Sequence, residues 1–321
     1  MDGHPAPATN GGARPLVETA PAKINLALHV TGRRADGYHL LDTLVVHGVA
    51  ADRLSARRLA DSRAGEGAGD GAGNGEAGVA IDLAVTGRFA AGLDAGPDNL
   101  VLRAARLLEA EAGRLGAPLV PVALTLDKCL PVASGIGGGS SDAAATLRLL
   151  NRVWRLDLPL DRLAELARPL GADLPMCVHG RPLRARGIGE TIDLLAESPP
   201  LPMVLVNPGV PIATPAVFRA LERRDGTGLP DLADDFGDAD RLLARLAETR
   251  NDLEAPAIRL APVVGEVLAR LRATSGCRLA RMSGSGATCF AVFAGEAEAA
   301  AAAAAMPATW WAKAGLVGAP A

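Results

Sequence analysis

The chain has 321 residues, is 49 % hydrophobic and carries a net charge of −3 with both signs dispersed. That length can bury a sizeable core and suits two domains. No apolar run reaches the ~20 residues of a membrane span, and a weakly acidic chain has no electrostatic footprint for nucleic acid, so neither partner is expected.

Met1–Pro15 lacks an apolar stretch and a basic start, and is expected to be a disordered tail rather than a secretory signal. Cys129, Cys177, Cys277 and Cys289 form no Cys-x-x-Cys pair, which predicts reduced thiols in a cytoplasmic protein. Lysine is scarce: Lys23, Lys128 and Lys313 stand against thirty arginines. A lysine kept under that bias suggests a role arginine would not fill.

The first strong element is a strand from Lys23 to Val30. Alternation puts Lys23, Asn25, Ala27 and His29 on one face, and Ile24, Leu26, Leu28 and Val30 on the core face. Lys23 is either an ordinary solvated strand residue or, with Asn25 beside it, part of a polar site. Asp36-Gly37 marks a turn, followed at once by Tyr38 and His39. Tyr38, the only tyrosine, suits a half-buried packing ring or a stacking platform for a flat ligand, with His39 offering hydrogen bonds beside it.

Residues 60–78 are Gly/Ala/Asp/Glu-rich without periodicity, and are expected to be a flexible insertion. A strand follows over Val79–Val85. A helix then starts after Asp98, taken as its N-cap, with Leu100, Ala104, Leu107 and Leu108 on one face.

Val122–Asp127 alternates as a half-buried strand, and Ala143, Leu147, Leu150 and Trp154 mark a helix that begins near Ser140 or Ser141. Between them runs Pro131-Val132-Ala133-Ser134-Gly135-Ile136-Gly137-Gly138-Gly139-Ser140-Ser141. Strand, glycine loop and helix start present unpaired backbone amides to an anion, so the loop reads as a phosphate cradle. It is not a Walker A loop, since no Gly-Lys-Ser/Thr follows. Nor is it a dinucleotide fingerprint, since Ser140 stands where the third glycine belongs. The two serines either cap the helix or meet phosphate oxygens or a phosphate-bound Mg²⁺.

Pro159–Pro169 reads as a helix closed by Gly171, and Asp173 sits in a turn before Pro175, a place that favours Asp for local reasons as well. Arg184–Glu190 looks like a hairpin. A second domain is expected from about Pro200, dividing the chain into 16–195 and 196–321. It opens with a strand at Val204 and a helix start at Thr214-Pro215, then an acidic loop over Gly226–Asp240. Helices follow after Arg250 and over Val263–Arg272. Ser283–Gly286 is a glycine turn between two strands, and the alanine run near Ala299 is helical by propensity.

The loop Pro-x-x-x-Gly-x-Gly-Gly-Gly-Ser-Ser resembles the nucleotide loop of the GHMP small-molecule kinases. Other patches narrow the resemblance: Pro21-Ala-Lys-Ile-Asn-Leu, Arg34-Ala-Asp-Gly-Tyr-His, Asp98-Asn-Leu, Gly171-Ala-Asp-Leu-Pro, Thr214-Pro-Ala-Val-Phe and Ser283-Gly-Ser-Gly. In that order they resemble one family, the 4-diphosphocytidyl-2-C-methyl-D-erythritol kinases of the non-mevalonate isoprenoid pathway. Val132-Ala133-Ser134 departs from the more glycine-rich run of that family.

The resemblance implies an α+β, two-domain GHMP-kinase fold. Its N-terminal nucleotide domain would be ribosomal protein S5 domain 2-like, and its C-terminal domain a ferredoxin-like α/β domain. It implies transfer of the ATP γ-phosphate to the 2-hydroxyl of the cytidylyl substrate by a monomer or weak homodimer. Lys23 and Asp173 would be catalytic. Residues 131–141 would hold ATP together with Asn99, which equally suits helix entry. Asn25, Tyr38, His39, Thr214 and Phe218 would bind the acceptor, with Tyr38 and Phe218 sandwiching cytosine and His39 reading its edge; Phe218 also suits plain core packing. Mg²⁺ would arrive with ATP, and no protein ligand is assigned to it. The alternatives are a homoserine or mevalonate type of GHMP kinase, or an inactive nucleotide-binding regulator. The pairing of Lys23 with Asp173 argues against the regulator.

Overall fold

One long hairpin organises the N-terminal half. In the computed structural model, which describes residues 14–59, 78–231 and 237–317, β1 (Leu16–Arg33) and β2 (His39–Arg58) pair antiparallel along most of their length. Asp36-Gly37 closes the turn, where Tyr38 N donates to Asp36 Oδ1 at 3.2 Å. Apart from Arg14, Pro15 and Gly78, the expected tail and insertion lie outside the described residues.

The alternation expected for Lys23–Val30 holds only as far as Leu26. A register shift between Asn25 and Ala27 inserts an extra residue, which turns the following side chains over. Ala27 therefore joins Ile24 and Leu26 in one core cluster, whereas Leu28 continues the face of Lys23 and Asn25 and lines the same cleft. His29 leaves that face: its Nδ1 lies 2.9 Å from Thr227 O and its Nε2 accepts from Arg250 N.

β3 (Ile81–Thr86), α1 (Leu100–Arg114) and β4 (Val122–Asp127) form a parallel βαβ unit, with β4 antiparallel to β2. α2 (Gly138–Val153), α3 (Leu160–Ala167) and α4 (Leu174–His179) follow. Their apolar residues meet the sheet in a core that includes Leu54, Leu124, Leu126, Leu108, Leu147, Leu150 and Trp154. The indole of Trp154 donates to Val120 O at 3.0 Å, so its polar edge is satisfied. β5 (Leu183–Gly187) pairs with the start of β2 and with β6 (Thr191–Leu194).

The C-terminal half contains β7 (Leu201–Asn207), α5 (Thr214–Arg219), α6 (Ala239–Ala247), α7 (Glu254–Leu260) and α8 (Val263–Ala273). β8 (Cys277–Met282), β9 (Cys289–Phe293), α9 (Glu296–Ala304) and β10 (Trp311–Val317) complete it. Its strands run β10-β7-β9-β8, every neighbour antiparallel. The first strand thus lies between the third and the last, which is the split pattern of a ferredoxin-like fold. α6 starts at Ala239, so it takes up only the last two residues of the stretch expected to be an acidic loop, and it runs on to Ala247, where no element was expected. Its Leu242, Leu243 and Leu246 are buried and Asp238 caps it.

The two sheets meet where Val317 of β10 pairs with Gly48 of β2. One core cluster crosses the seam, joining Ile24, Leu26, Leu44 and Val46 to Leu205, Phe290 and Trp311. Buried Arg281 adds polar ties, donating to the carbonyls of Leu26, Leu246 and Thr249. The site next to β1 is thereby walled by both halves.

Candidate active site

A cleft of about 500 Å³ opens along that seam, lined by β1, the glycine loop, the start of α4 and the Thr214 and Ser285 region. Lys23 anchors its floor. Its Nζ lies 3.1 Å from Asp173 Oδ2 and 3.2 Å from Asn25 Oδ1. Asn25 is fixed in turn, its amide donating to Thr43 Oγ1 at 2.8 Å while Thr43 donates to Ala27 O. Asp173 occupies the residue before α4, where its side chain makes no capping bond and remains free to face the cleft. His47 lies directly across from Lys23 on β2. Burial, and next the Lys23 ammonium, push its pKa down to about 3, so it is a neutral neighbour.

The helix after the glycine loop starts earlier than expected. α2 begins at Gly138, because Gly137 adopts φ +64°, and no serine caps it. Ser140 lines the cleft, while Ser141 is buried with its Oγ 3.5 Å from Cys177 Sγ. The amides of Gly138, Gly139 and Ser140 are those that a helix start leaves without intrahelical acceptors. Ile136 is fully buried, and its carbonyl accepts from Lys23 N at 2.9 Å. Ser134 donates to Pro131 O at 2.7 Å, and Val132 stands half exposed at the rim.

Gly135 serves a close approach. It has φ +77°, and a Cβ there would lie 2.6 Å from Gly286 O and 2.7 Å from Ser283 O. Ser283 Oγ lies 3.2 Å from Gly135 O and 3.1 Å from Asn25 N. The Ser283–Gly286 turn thus leans on the glycine loop and on β1 together.

A second cavity, of about 320 Å³, lies on the other side of the loop, lined by Asn99, Lys128, Val132, Gly139 and neighbours. Asn99, not Asp98, caps α1: its Oδ1 accepts from Val101 N at 2.9 Å, and its Nδ2 donates to Asp94 O. The sequence reading assigned no partners to Lys128. It is buried against Asp52 and Asp142, and its rarity was the only signal. Burial raises the Asp142 carboxyl to about 7, the Lys128 ammonium opposing the rise and Asp52 adding to it.

At the far end, Thr214 Oγ1 lies 2.7 Å from Ser285 Oγ, and both line the cleft with Phe218. Tyr38 and Phe218, expected to face each other across cytosine, make no ring contact with each other. Phe218 stacks on His39 instead, with centroids 4.8 Å apart and planes 22° apart. Tyr38 is 63 % exposed and does not line the cleft. Neighbouring residues at a strand start point to opposite sides, so turning His39 inward turns Tyr38 outward. Burial, then the charges of Arg33 and Arg224, lower the His39 pKa. Its buried Nε2 has no partner within the protein.

Among the described residues no group of three or more His, Cys, Asp or Glu side chains could hold a metal ion, and no helix is long and apolar enough to cross a membrane.

Fold and cleft together define a GHMP kinase. The family models GHMP kinases N terminal domain and GHMP kinases C terminal match residues 99–181 and 210–312. The chain is 50 % identical over 296 residues (91 % of this chain, 95 % of the relative) to a 4-diphosphocytidyl-2-C-methyl-D-erythritol kinase of Cereibacter sphaeroides. It is 51 % identical over 285 residues (88 % and 87 %) to the Brucella abortus protein of that name. A crystal structure of 4-(cytidine 5'-diphospho)-2C-methyl-D-erythritol kinase aligns with TM-score 0.72 at 35 % identity, covering 95 % of this chain and all of that one. The chain belongs to the 4-diphosphocytidyl-2-C-methyl-D-erythritol kinase family.

Proposed function

We propose that the chain transfers the γ-phosphoryl group of ATP to the 2-hydroxyl of 4-diphosphocytidyl-2-C-methyl-D-erythritol, giving the 2-phosphate and ADP in isoprenoid precursor synthesis. The observation that carries this reading is the Lys23–Asp173 pair, 3.1 Å apart in the cleft that the glycine loop also lines, in a chain half identical to kinases of that name.

A tertiary alcohol is a poor nucleophile. Asp173 accepts its proton as the O–P bond forms, an effect worth roughly 10²–10⁴-fold. Lys23, held by Asn25, lies against the Asp173 carboxylate and meets the charge that builds on the transferred group. The amides of Gly138–Ser140 receive the triphosphate. Mg²⁺ would travel on the triphosphate and neutralise its charge, and the Ser140 hydroxyl lies on the loop wall of the same cleft. Adenosine occupies the cavity beside Asn99. Phe218 and His39 hold the cytosine end, Tyr38 closes over it from the rim, and the unpartnered Nε2 of His39 reads its edge. Uracil reverses the donor and acceptor pattern and leaves such a group unpaired. Four unpaired thiols suit a reducing cytoplasm, and the reading needs no more than a monomer or weak homodimer.

ADP release measured with the cytidylyl compound, homoserine and mevalonate tests the reading. Release is expected with the first alone. Release with homoserine or mevalonate, and none with the cytidylyl compound, overturns it.

A further inference from the structure

Beneath the glycine loop, three charged side chains from different parts of the chain meet out of contact with water. The Lys128 ammonium, just past β4, contacts Asp52 Oδ2 from β2 and lies 2.7 Å from Asp142 Oδ2 in the first turns of α2. Lys128 and Asp142 are each 3 % exposed, and Asp52 is fully buried. The other oxygen of Asp52 accepts from the amides of Cys129 and Leu130, the residues that lead into the loop. The backbone of Lys128 is tied to β3, its N–H donating to Thr86 O at 2.7 Å. Although burial opposes its charge, the two carboxylates outweigh that and raise the Lys128 pKa, so it stays an ammonium.

Stability does not account for this arrangement, because a buried ion cluster rarely outperforms apolar residues of the same volume. Attraction of phosphate does not account for it either. With the Asp142 carboxyl raised to about 7, the three groups sum to between zero and one negative charge, so they offer no net positive charge beneath an anion-binding loop. What the cluster does by geometry is join the two stems of the loop: Asp52 grips the way in, Asp142 belongs to the way out, and Lys128 bonds to both.

We propose that Lys128, clamped between Asp52 and Asp142, is a positioning residue for the phosphoryl donor. It fixes the entry and exit of the Pro131–Gly137 segment relative to each other, and so sets the spacing of the Gly138–Ser140 amides. This rests on the reading of the loop as the donor site. The donor cavity reaches the cluster directly, since Lys128 and Asp142 both line it, so loosening the clamp also reshapes the cavity wall.

The test is calorimetric binding of MgATP to the full chain with no acceptor present. It compares wild type, Asp142→Asn, and the double variant Lys128→Gln/Asp142→Asn. The double variant removes the ammonium and one carboxylate together, leaving Asp52 to its two backbone donors. The Kd for ATP is expected to rise about threefold in the single variant and about tenfold or more in the double. Acceptor KM is expected to stay within about twofold, and hydrogen exchange to quicken over residues 129–141 alone. Wild-type ATP affinity in either variant that folds overturns the proposal. So does exchange that quickens throughout the chain, the mark of a merely structural residue. A wild-type chain that binds no ATP overturns the donor-site reading itself, which separates the two failures.

Discussion

Lys23 Nζ and Asp173 Oδ2 face each other at 3.1 Å, yet the lysine side chain is 6 % exposed and the aspartate 43 %. The ammonium is fixed in the floor, while the carboxylate is open enough to meet an incoming hydroxyl. That asymmetry suits a base steadied by a stationary cation. Asp173→Ala is therefore expected to bind ATP as wild type does while turnover falls at least ~100-fold. Single-turnover kinetics beside ATP titration check both halves, and unchanged turnover would remove Asp173 as the base.

Gly135 admits no side chain. Its left-handed backbone and the carbonyls of Gly286 and Ser283, 2.6 and 2.7 Å from where a Cβ would sit, force the two loops apart in Gly135→Ala. The expected result is a loss of at least about 2 kcal/mol in stability together with a higher KM for ATP. Thermal unfolding and steady-state kinetics measure the two, and a variant that matches wild type in both would show that the contact is dispensable.

The His39–Phe218 stack gives a prediction about the acceptor. A stacked pair contributes about 0.5–1.5 kcal/mol beyond its buried area, so Phe218→Ala should raise acceptor KM several-fold and leave ATP KM nearly unchanged. Tyr38→Ala should act in the same direction but more weakly, since its ring stands outside the cleft wall. A larger effect on ATP than on the acceptor in either variant contradicts the placement.

His47 predicts an acid limb of stability. Its folded pKa, about 3, lies below the ordinary 6.5, so its contribution is whole above pH 6.5 and drains away as pH falls toward 3. At pH 4.5 the loss is about 3 kcal/mol. His47→Gln cannot titrate, so the gap in Tm between pH 7.5 and pH 4.5 should narrow. A gap as wide as in wild type would show that other groups set the acid limb.

Lys23 with Asn25 and the glycine loop were legible because strand alternation and glycine spacing are local signals, and both line one cleft. Asp173, in a turn that favours Asp for local reasons as well, stood out only through the family resemblance. The bulge after Asn25 was not legible, since an inserted residue leaves no trace in composition. The start of α2 was misplaced because Gly137 turns left-handed without help from either serine. Asp52 and Lys128 stand 76 positions apart, and a long-range ion contact has no period to detect. α6 was readable in principle. Leu242, Leu243 and Leu246 repeat at helical spacing behind Asp238, a short apolar period just past the acidic stretch that ends at Asp240.

Gly135 and the serine that supports it are 148 positions apart. On a ribosome, the glycine loop and both partners of the transfer pair emerge well before Ser283 does. Until that turn arrives, the loop lacks its wall and the cleft lacks one side. The contact that seats the glycine loop is therefore completed only late in synthesis, long after the loop's own residues have emerged.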